Sequence, residues 1–531
     1  MERFARLLDA LSFQYQRNGK IRLIVDHLRS VPDPERGWAL AALVGDIGFA
    51  HLKPAAIRAL VAERVDAELF ALSHDYVGDL AETVALIWPA RHGANAVPQL
   101  GEIVAGVSAA TKAEAPALVA SWLDALDAAG RWALLKLILG GLRVGVSARL
   151  ARTAFAEFSG HDLDEVEEIW HGLEPPYADL FAWAEGRGEK PRAGGGAPFR
   201  PVMLAHPLDE GELDRLDPAA YRAEWKWDGI RVQAVSSADG GARRLYTRTG
   251  EDIGASFPDI LDALDFDAAI DGELLVVRDG AIAPFADLQK RLGRKAPSKA
   301  MLRDFPAMIR AYDILVEGGE DLRALPFDAR RARLEDWWAK APRPRVDLSP
   351  LVPFADWPAL AAGRRGSEAT GIEGLMLKRG DSPYQGGRPK GPWFKWKRDP
   401  HLVDCVLMYA QRGHGKRSSF YSDFTFGVWR GDELVPVGKA YFGFTDAELA
   451  QLDRWVRANT IGRFGPVREV EKALVLEIAF ERLQRSPRHR SGLAMRFPRV
   501  SRIRWDKPAG EADGIAALEA LLAREEAIPS P

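Results

Sequence analysis

The chain of 531 residues contains one cysteine, Cys405. A single thiol excludes an intramolecular disulfide and any zinc module built on paired cysteines. Within the apolar stretch HLVDCVLMYA it is typical of a core position. The sequence also lacks an uninterrupted apolar run of the ~20 residues that a membrane-spanning helix needs. The N-terminus is amphipathic and carries acidic residues, unlike a signal or transit peptide. These absences predict a cytoplasmic protein that has no membrane partner.

Neither sign of charge is in excess, because 72 lysines and arginines face 75 aspartates and glutamates, giving a net charge of −3. The total therefore does not indicate a nucleic-acid-binding protein. Total charge is a poor guide in a multidomain chain, however, because basic residues can be concentrated on one face. The most basic stretch lies near the C-terminus and contains Arg485, Arg488, Arg490, Arg496, Arg499, Arg502, Arg504 and Lys507.

The chain is long enough for three or four domains of roughly 150 residues, and its composition changes along its length. Residues 1–187 are predicted to be all-α, because apolar residues recur at spacings of three and four. Residues 188–200 are rich in glycine, proline and charge, which predicts a flexible linker. Residues 201–398 alternate strand-like runs with helical stretches, a pattern typical of an α+β domain with antiparallel sheets. Residues 399–509 would fit a small β-barrel of roughly five strands, followed by a polar tail over residues 510–531.

The segment EWKWDGIR places Lys226 in a strand-like run directly before an Asp-Gly turn. Taken alone, it could be a surface hairpin with a solvated lysine, because short motifs occur by chance in a chain of this length. Trp225 and Trp227 weaken that interpretation, since aromatic surroundings desolvate an ammonium and favour its neutral, nucleophilic form. We therefore expect the pKa of Lys226 to lie well below its ordinary value of ~10.4.

Further segments that carry charged or aromatic side chains follow in a fixed order. They are Arg248 in YTRTGE; Asp271-Gly272-Glu273; Tyr312-Asp313; Glu373-Gly374-Leu375-Met376-Leu377-Lys378; Lys395 and Lys397 in WFKWK; and Arg496-Phe497-Pro498-Arg499 followed by Asp506-Lys507. Alternate side chains of a strand share a face, so the two lysines of WFKWK are predicted to lie side by side.

In order and spacing, these segments resemble the nucleotidyltransferase motifs of the ATP-dependent DNA ligases. The family motifs are KxDGxR, a downstream Arg motif, DGE, an aromatic-Asp motif, EGLMLK, WxKxK and RFPR…RxDK. Each motif is weak alone, but together over residues 224–507 they form a specific signature. The resemblance implies a bacterial ligase with a helical DNA-binding domain, an α+β nucleotidyltransferase (adenylation) domain and a C-terminal OB-fold barrel.

The N-terminal region carries a looser part of the resemblance. Leu142-Arg143-Val144-Gly145 is similar to the LRIG-type element in the helical DNA-binding domain of larger ligases of the family. The alternative is a helix C-cap at Gly140-Gly141 followed by a short turn.

The reaction that the resemblance implies is the ATP-dependent joining of a 5′-phosphate to a 3′-hydroxyl at a nick. Lys226 would be the catalytic nucleophile and would carry AMP as a covalent lysyl-AMP intermediate. ATP is then the substrate that donates AMP, and Mg²⁺ is the cofactor. The implied partners are nicked double-stranded DNA and repair nucleases or helicases. The protein is expected to be a monomer that acts in bacterial DNA repair.

On the nucleoside side, the resemblance assigns Glu224 to adenine recognition and Tyr312 to stacking on the purine, a role suited to a flat ring. Met376 would cover the opposite face of the base, although a methionine in a strand is also a common core filler. Arg231 and Arg248 would contact the ribose and the nick phosphate.

On the phosphate side, Glu273 and Glu373 are assigned to a Mg²⁺ site, because this ion prefers hard oxygen ligands. Lys395 would bind the α-phosphate with Lys397 beside it, and both would add positive potential that lowers the pKa of the nucleophilic lysine. Arg388 would also reach the nucleotide, although it lies slightly farther from Lys395 than the family pattern has it.

The terminal motif completes the implied machinery. Arg496, Arg499 and Lys507 would orient pyrophosphate for departure, on a barrel that rotates between two arrangements to admit DNA. The basic run around them could instead be a solvated surface that contacts DNA without chemistry.

Two other functions remain compatible with the lysine motif. The first is another covalent nucleotidyltransferase, such as an RNA ligase or an mRNA capping enzyme; the terminal RFPR motif and the helical N-terminal region oppose it. The second is a catalytically inactive scaffold that binds DNA ends; the intact Lys226, Glu273 and Glu373 oppose it. NAD⁺ is disfavoured as the AMP donor, because NAD⁺-dependent ligases carry a cysteine-ligated zinc finger, which one cysteine excludes.

Overall fold

The structure is a computed structural model. It describes residues 1–49, 52–89, 96–191, 196–208, 211–237, 241–294, 296–366, 371–413, 420–487 and 489–527. Arg488 of the basic run lies outside these ranges. The chain divides into two compact units, of which the first comprises Met1–Leu163, Glu174–Pro191 and Pro400–Glu519 and the second comprises Asp164–Leu173, Arg192–Asp399 and Ala520–Pro531.

The N-terminal region is helical, as predicted from its periodicity. Several helices begin at residues whose side chains accept a backbone hydrogen bond, such as Asp66 before Leu69 and Ser147 before Leu150. None of the helices in the described ranges has the length and apolar character needed to cross a bilayer. The helices are α1 (Glu2–Phe13), α2 (Arg17–Ser30), α3 (Glu35–Val44), α4 (Pro54–Ala62), α5 (Ala67–Val77), α6 (Leu80–Ile87), α7 (Leu100–Ala109), α8 (Ala115–Ala125), α9 (Ala128–Ile138), α10 (Ala148–Ser159), α11 (Leu163–Trp170) and α12 (Ala178–Ala184).

The next part of the chain alternates strands and short helices. Its elements are β1 (His206–Pro207), β2 (Tyr221–Trp227), β3 (Ile230–Ser236), β4 (Arg243–Thr247), α13 (Pro258–Leu261), β5 (Ala268–Arg278), β6 (Ala281–Ile282), α14 (Phe285–Arg291), α15 (Lys299–Asp304), β7 (Ala307–Glu317), β8 (Glu320–Asp321), α16 (Phe327–Lys340), β9 (Val346–Leu348), β10 (Leu351–Val352), α17 (Trp357–Gly366), β11 (Ile372–Arg379) and β12 (Trp393–Lys397).

These strands form two mainly antiparallel sheets. The first has the order β1-β12-β11-β2-β10, and the second has the order β4-β3-β5-β7-β8, with β6 on β5 and β9 on β7. A core of alternate residues from β3, β5 and β7, including Leu274 and Ile309, packs with Phe257 and with Leu334 of α16. The tight turn between β2 and β3 links the two sheets, so the Lys226 segment lies where they meet.

The C-terminal part is rich in strands and contains two helices of 13 residues each. Its main sheet has seven strands, whereas the sequence predicted roughly five. The prediction was too low because the short strands β16, β17 and β21 lack a strong apolar alternation in sequence. Cys405 is buried in this part, which confirms its assignment to the core. The elements are β13 (His401–Arg412), β14 (Tyr421–Arg430), β15 (Glu433–Ala440), α18 (Asp446–Ala458), β16 (Thr460–Phe464), β17 (Val467–Val470), β18 (Val475–Phe480), β19 (Arg482–Arg485), β20 (Leu493–Arg496), β21 (Arg499–Arg504) and α19 (Ile515–Ala527).

Candidate active site

Three neighbouring strands of the first sheet carry the predicted lysines in register. Gly374 of β11 lies between Lys226 of β2 and Lys397 of β12. Two residues further along, Met376 lies between Glu224 and Lys395 in the same way. Because alternate residues share a face, these positions line one face of the sheet. The prediction that the two lysines of WFKWK share a face is confirmed.

Glycine at position 374 allows the strands to approach beside the lysines. Its φ of +143° lies in a region that side chains rarely adopt. A β-carbon at this position would also collide with the carbonyl oxygen of Trp396 and lie 2.8 Å from the Cα of Lys397. The close packing of β11 on β12 therefore requires glycine between Lys226 and Lys397.

Glu373 occupies a β-bulge that turns it toward Lys226. β11 pairs Ile372 with Trp227 and Gly374 with Lys226, so the register shifts by one residue at Glu373. A bulge of this kind re-aims a side chain next to a functional site. The Nζ of Lys226 donates a hydrogen bond to Oε2 of Glu373, and the two groups form an ion pair.

The pKa of Lys226 is raised, so the predicted depression is wrong. Burial acts to lower this pKa, but the carboxylates of Glu373, Glu273 and Asp228 outweigh it and stabilise the ammonium. The sequence places these carboxylates far from the lysine along the chain. Their convergence on the amine depends on strand pairing.

Trp225 and Trp227 do not desolvate Lys226 in the way that we predicted. Adjacent residues of a strand point to opposite faces, so the two tryptophans lie on the other side of the sheet from the lysine. There Trp227 packs in a core cluster with Leu275 and Ile372, against which Trp225 also lies. The indole Nε1 of Trp227 donates to Oγ of Ser349 at 3.0 Å.

Glu273 and Glu373 lie close enough to influence each other's ionisation. Burial raises the pKa of Glu273 to about 8, and the charge of Glu373 contributes to this rise. Burial acts in the same direction on Glu373, but its ion pair with Lys226 lowers its pKa to about 2. Two neighbouring glutamate side chains supply hard oxygen donors of the kind that fits Mg²⁺, which keeps several waters and binds substrate phosphates. No cluster of three or more candidate metal ligands occurs within the described ranges.

Positive charge is concentrated around Lys395. Burial lowers the pKa of Lys395, and the nearby charges of Lys397, Arg388, Lys226 and Arg248 lower it further. The structure therefore brings five of the predicted residues into one electropositive neighbourhood, a property suited to binding a polyphosphate.

Glu224 lies in a buried ionic network that the sequence did not indicate. It is 1% exposed. Its carboxylate lies 2.6 Å from Nζ of Lys378 and 3.3 Å from Nη1 of Arg331. Burial raises the pKa of Glu224, while Lys378 and Arg331 oppose the rise. Lys378 belongs to the EGLMLK segment, but Arg331 lies on α16 and has no motif around it that could have signalled its role.

Aromatic rings surround the ammonium of Lys378. Its Nζ lies 4.4 Å from the ring centroid of Tyr312, 4.7 Å from that of Trp393 and 5.0 Å from that of Phe327. Tyr312 stands at a register shift of β7, where Asp313 pairs with one residue of β5 and Ala311 pairs with the next. This second bulge directs the predicted adenine-stacking ring toward the buried network.

Arg231 is held by an acidic and a phenolic partner. Its guanidinium donates to both carboxylate oxygens of Asp271, at 3.0 and 2.6 Å, and to the carbonyl oxygen of Met203 at 2.7 Å. Tyr384 donates to the same Asp271 carboxylate at 2.7 Å. Asp271 opens the predicted DGE segment, and its role as a partner of Arg231 becomes visible only with the pairing of β3 and β5.

Arg496, Arg499 and Lys507 belong to the other compact unit. Lys507 donates to Oδ2 of Asp404 at 2.8 Å, and Arg504 donates to the same oxygen at 3.2 Å. This hydrogen bond to Asp404 raises the pKa of Lys507. The terminal motif of this chain is thus tied to β13 of its own sheet.

The LRVG segment forms a turn between α9 and α10. Gly140, Arg143 and Gly145 all have positive φ, at 72°, 50° and 67°. The ammonium of Lys20 donates to the carbonyl oxygens of Val144 and Gly145 at 2.5 and 3.0 Å. The helix-ending turn that we considered as an alternative is therefore present. Two backbone carbonyl groups of the LRVG segment accept hydrogen bonds from Lys20 of α2.

Comparison with known proteins identifies two matching regions. Residues 202–397 match the family described as ATP dependent DNA ligase domain, and residues 417–507 match the family described as ATP dependent DNA ligase C terminal region. Together these two regions contain every residue that we assigned to the active site.

Curated relatives match almost the whole chain. A probable DNA ligase from Koribacter versatilis is 31% identical, over 98% of this chain and 96% of the relative. A probable DNA ligase from Anaeromyxobacter sp. is 34% identical, over 96% of this chain and 95% of the relative. The solved structure named Pmar-Lig_PreS3 is 15% identical with a TM-score of 0.60, over 94% of this chain and 99% of that chain. This last likeness concerns the fold alone.

Proposed function

The chain belongs to the ATP-dependent DNA ligases, and from that membership we propose that Lys226 takes AMP from ATP and passes it to the 5′-phosphate of a nick. One observation carries the assignment. Lys226 bonds to Glu373, lies within the electrostatic influence of Glu273, and itself acts on Lys395 together with Lys397, Arg388 and Arg248. The acidic groups suit a metal ion and the basic groups suit the phosphates.

The proposed reaction has three displacements at phosphorus. First, the neutral amine of Lys226 attacks the α-phosphorus of ATP, an N–P bond forms, the bond to the β-phosphate oxygen breaks, pyrophosphate leaves, and the nitrogen releases one proton to solvent. Second, an oxygen of the 5′-phosphate attacks the adenylate phosphorus, the N–P bond breaks, and the amine takes up a proton. Third, the 3′-hydroxyl loses its proton and attacks the activated 5′-phosphate, and AMP leaves. Dividing one condensation into activated steps is the advantage of covalent catalysis.

The ammonium of Lys226 must lose a proton before the first step. Glu373 and Glu273 oppose this loss, because their charges raise the pKa of Lys226. Glu373 and Glu273 would stabilise the ammonium less if they held a metal ion, and the charges of Lys397 and Lys395 would then favour the neutral amine. Lys395 and Lys397 would also bind the α-phosphate and hold it in line with the amine.

The metal site that we propose consists of Glu273 and Glu373. When bound there, Mg²⁺ would neutralise negative charge on the phosphates. On the nucleoside side, the buried Glu224 would accept from the adenine amino group, and Tyr312 would stack on the base. Met376 lies beside Glu224 on the same face and would contact the other side of the base.

The rest of the chain would deliver the DNA. We propose that the helical region before residue 188 binds duplex DNA, that residues 201–398 form the adenylation domain, and that residues 399–509 form an OB-fold whose Arg496, Arg499 and Lys507 approach the nucleotide. Binding through phosphates is salt-dependent and largely blind to sequence, which suits an enzyme that seals any nick. The relatives from Koribacter and Anaeromyxobacter are bacterial, and the proposal places the protein in the bacterial cytoplasm, acting as a monomer in DNA repair.

Incubation with α-labelled ATP and Mg²⁺ tests the proposal. The wild type should gain an acid-labile label, Lys226→Ala should gain none, and Lys390→Ala should behave as wild type because Lys390 is an exposed lysine of the same unit. A chase with nicked duplex DNA should release the label as AMP while the strand is sealed. Label that persists in Lys226→Ala would overturn the assignment.

Two further arms separate the alternatives. A nicked RNA duplex sealed faster than nicked DNA would favour an RNA ligase, and label from GTP in preference to ATP would favour a capping enzyme. A wild type that binds DNA ends but takes no label would favour the inactive scaffold.

A further inference from the structure

Residues 164–173 precede the linker in sequence but belong to the compact unit that contains Lys226. They comprise most of α11 and the turn that follows it. This segment contacts two separate turns of the same compact unit. Each of those turns contains a glycine and, two residues away, an arginine that we assigned to the active site.

The first contact is made by His171. The turn after β4 is closed by hydrogen bonds from Gly250 to Thr247 at 2.9 Å and from Thr247 to Glu251 at 2.8 Å. Gly250 has a φ of +86°, and a β-carbon at this position would collide with the imidazole of His171. Arg248 lies at the exposed tip of this turn. The imidazole thus packs directly on the backbone of the turn that carries Arg248.

Aromatic packing fixes the position of the His171 ring. Its centroid lies 5.1 Å from that of Phe199 and 5.4 Å from that of Tyr246. Tyr246 precedes the last residue of β4, and its hydroxyl donates to the carbonyl oxygen of Ala197 at 2.8 Å. His171 therefore packs against Tyr246 before Arg248 and against Gly250 after it.

The second contact is made by Asp164. A β-carbon at Gly386 would lie 2.7 Å from Oδ1 of Asp164 and 2.8 Å from Cβ of Pro201. Gly386 is two residues before Arg388. The acidic start of α11 therefore packs on the backbone that leads to this arginine, as His171 does at the other turn.

An ion pair between these two contacts anchors the segment. Glu168 lies 2.7 Å from Nη2 of Arg323, and both side chains are largely buried. The carbonyl oxygen of Arg323 accepts from the backbone of Tyr384 at 2.8 Å, and Tyr384 in turn bonds to Asp271. The segment is thus tied to the framework that holds Arg231, and not only to the two turns.

We propose that residues 164–173 are a positioning element that aims Arg248 and Arg388 at the phosphates bound beside Lys395. The inference rests on the proposed function, because it concerns the orientation of two arginines of the proposed active site. It is supported by the electrostatics, since Arg388 and Arg248 both act on the pKa of Lys395. A displacement of about 1 Å at a positioning group can cost about a hundredfold in rate. Residues that precede the linker in sequence therefore contribute to the proposed chemistry indirectly, by positioning two arginines.

Double-mutant cycles in the full-length chain test the proposal. His171→Ala should slow sealing by the pre-adenylated enzyme about tenfold, and should have little effect when Arg248 is already alanine. Asp164→Ala should slow adenylation of Lys226 in the same way, and should have little effect in an Arg388→Ala background. His171→Phe keeps a ring on the turn and should recover most of the rate. Glu168→Gln removes the anchor without leaving a cavity and should slow both steps.

A matched control distinguishes positioning from general loss of structure. His161→Ala removes a histidine that stacks on Trp183 in the other unit. This variant should behave as wild type, and all variants should remain folded, with a cooperative thermal transition above the assay temperature. Multiplicative effects in the cycles, or full activity of His171→Ala and Glu168→Gln, would overturn the positioning role. A wild type that takes no label from ATP would instead overturn the proposed function.

Discussion

Lys226 and Glu373 are 147 residues apart in sequence and form an ion pair because a bulge in β11 turns the glutamate toward the lysine. The ion pair stabilises the protonated form of Lys226 and keeps Glu373 ionised, with a pKa of about 2. If Lys226 is the nucleophile that we propose, this ion pair keeps it protonated, and the proposed reaction needs the interaction between Glu373 and Lys226 to weaken before the amine attacks.

Glu373→Gln should lower the pKa of Lys226, because the amide removes the nearest charge that stabilises the ammonium. In nucleotide-free buffer, the pH at which an amine-reactive reagent half-modifies Lys226 should fall, as followed by mass spectrometry. Nick sealing should nevertheless fall about a hundredfold, roughly 2.7 kcal/mol, because a ligand for the metal is lost. Glu320→Gln, which alters a surface pair with Arg333, should change neither quantity. An unchanged modification profile would contradict this account of the pair.

The raised pKa of Glu273 predicts that the free energy of unfolding depends on pH. Burial raises its pKa from 4.5 to about 8, so between these values the folded chain binds a proton that the unfolded chain has lost. The free energy of unfolding contributed by this group is therefore present below pH 4.5 and falls as the pH rises toward 8. Glu273→Gln cannot ionise, so its melting temperature relative to wild type should increase by several degrees across this window in metal-free buffer.

Metal binding provides the control for that prediction. Near the upper end of the window, Mg²⁺ should raise the melting temperature of wild type, since a ligand that binds only the folded state stabilises it. The same addition should have a smaller effect on Glu273→Gln. Parallel pH profiles for the two proteins would show that Glu273 does not carry the raised pKa.

Elements with strong periodicity could be predicted from the sequence alone. The run YRAEWKW matches β2 at both ends, and the helix that begins after Thr445 has the N-terminal cap typical of such a start. The hairpin of β16 and β17 could not be predicted, because few of its residues are buried and no apolar alternation marks it. Local sequence signals were therefore sufficient to predict elements such as these, in which one face is apolar.

The sequence indicated that Lys226, Glu273 and Glu373 lie near one another, but it did not indicate their contacts or their pKa values. Motif order brought Lys226, Glu273 and Glu373 together correctly, whereas the bulge at Glu373 and the raised pKa of Lys226 follow from pairings between distant strands. The error over Trp225 and Trp227 had a local cause, since the period of two places them on the face opposite Lys226. Applying that alternation to the tryptophans, as to the lysines of β12, would have avoided it.

The buried pair of Glu224 and Lys378 should show strong coupling. Glu224→Gln leaves the Lys378 ammonium buried without its carboxylate, and Lys378→Met leaves the carboxylate without its ammonium, so each should lower stability by about 3 kcal/mol or more. The double variant should be less destabilised than the sum, because neither charge remains. Thermal unfolding of the four proteins measures the coupling. The exposed pair of Arg333 and Glu320 is the matched control and should give a coupling of ~0–1 kcal/mol; equal coupling in both cycles would contradict the buried network.

Gly374→Ala should destabilise the sheet at the point where the lysines meet. The substitution places a β-carbon against the carbonyl oxygen of Trp396 in a backbone conformation, φ +143°, that alanine rarely adopts. β11 and β12 must then separate, which moves Lys397 away from Lys226. We expect the melting temperature to fall by several degrees and adenylation to fall by more than the loss of folded protein explains. Gly363→Ala is the matched control, because Gly363 lies in α17 with open space around it and alanine favours a helix. Equal behaviour of the two variants would show that strand approach at position 374 does not set the geometry of the lysines.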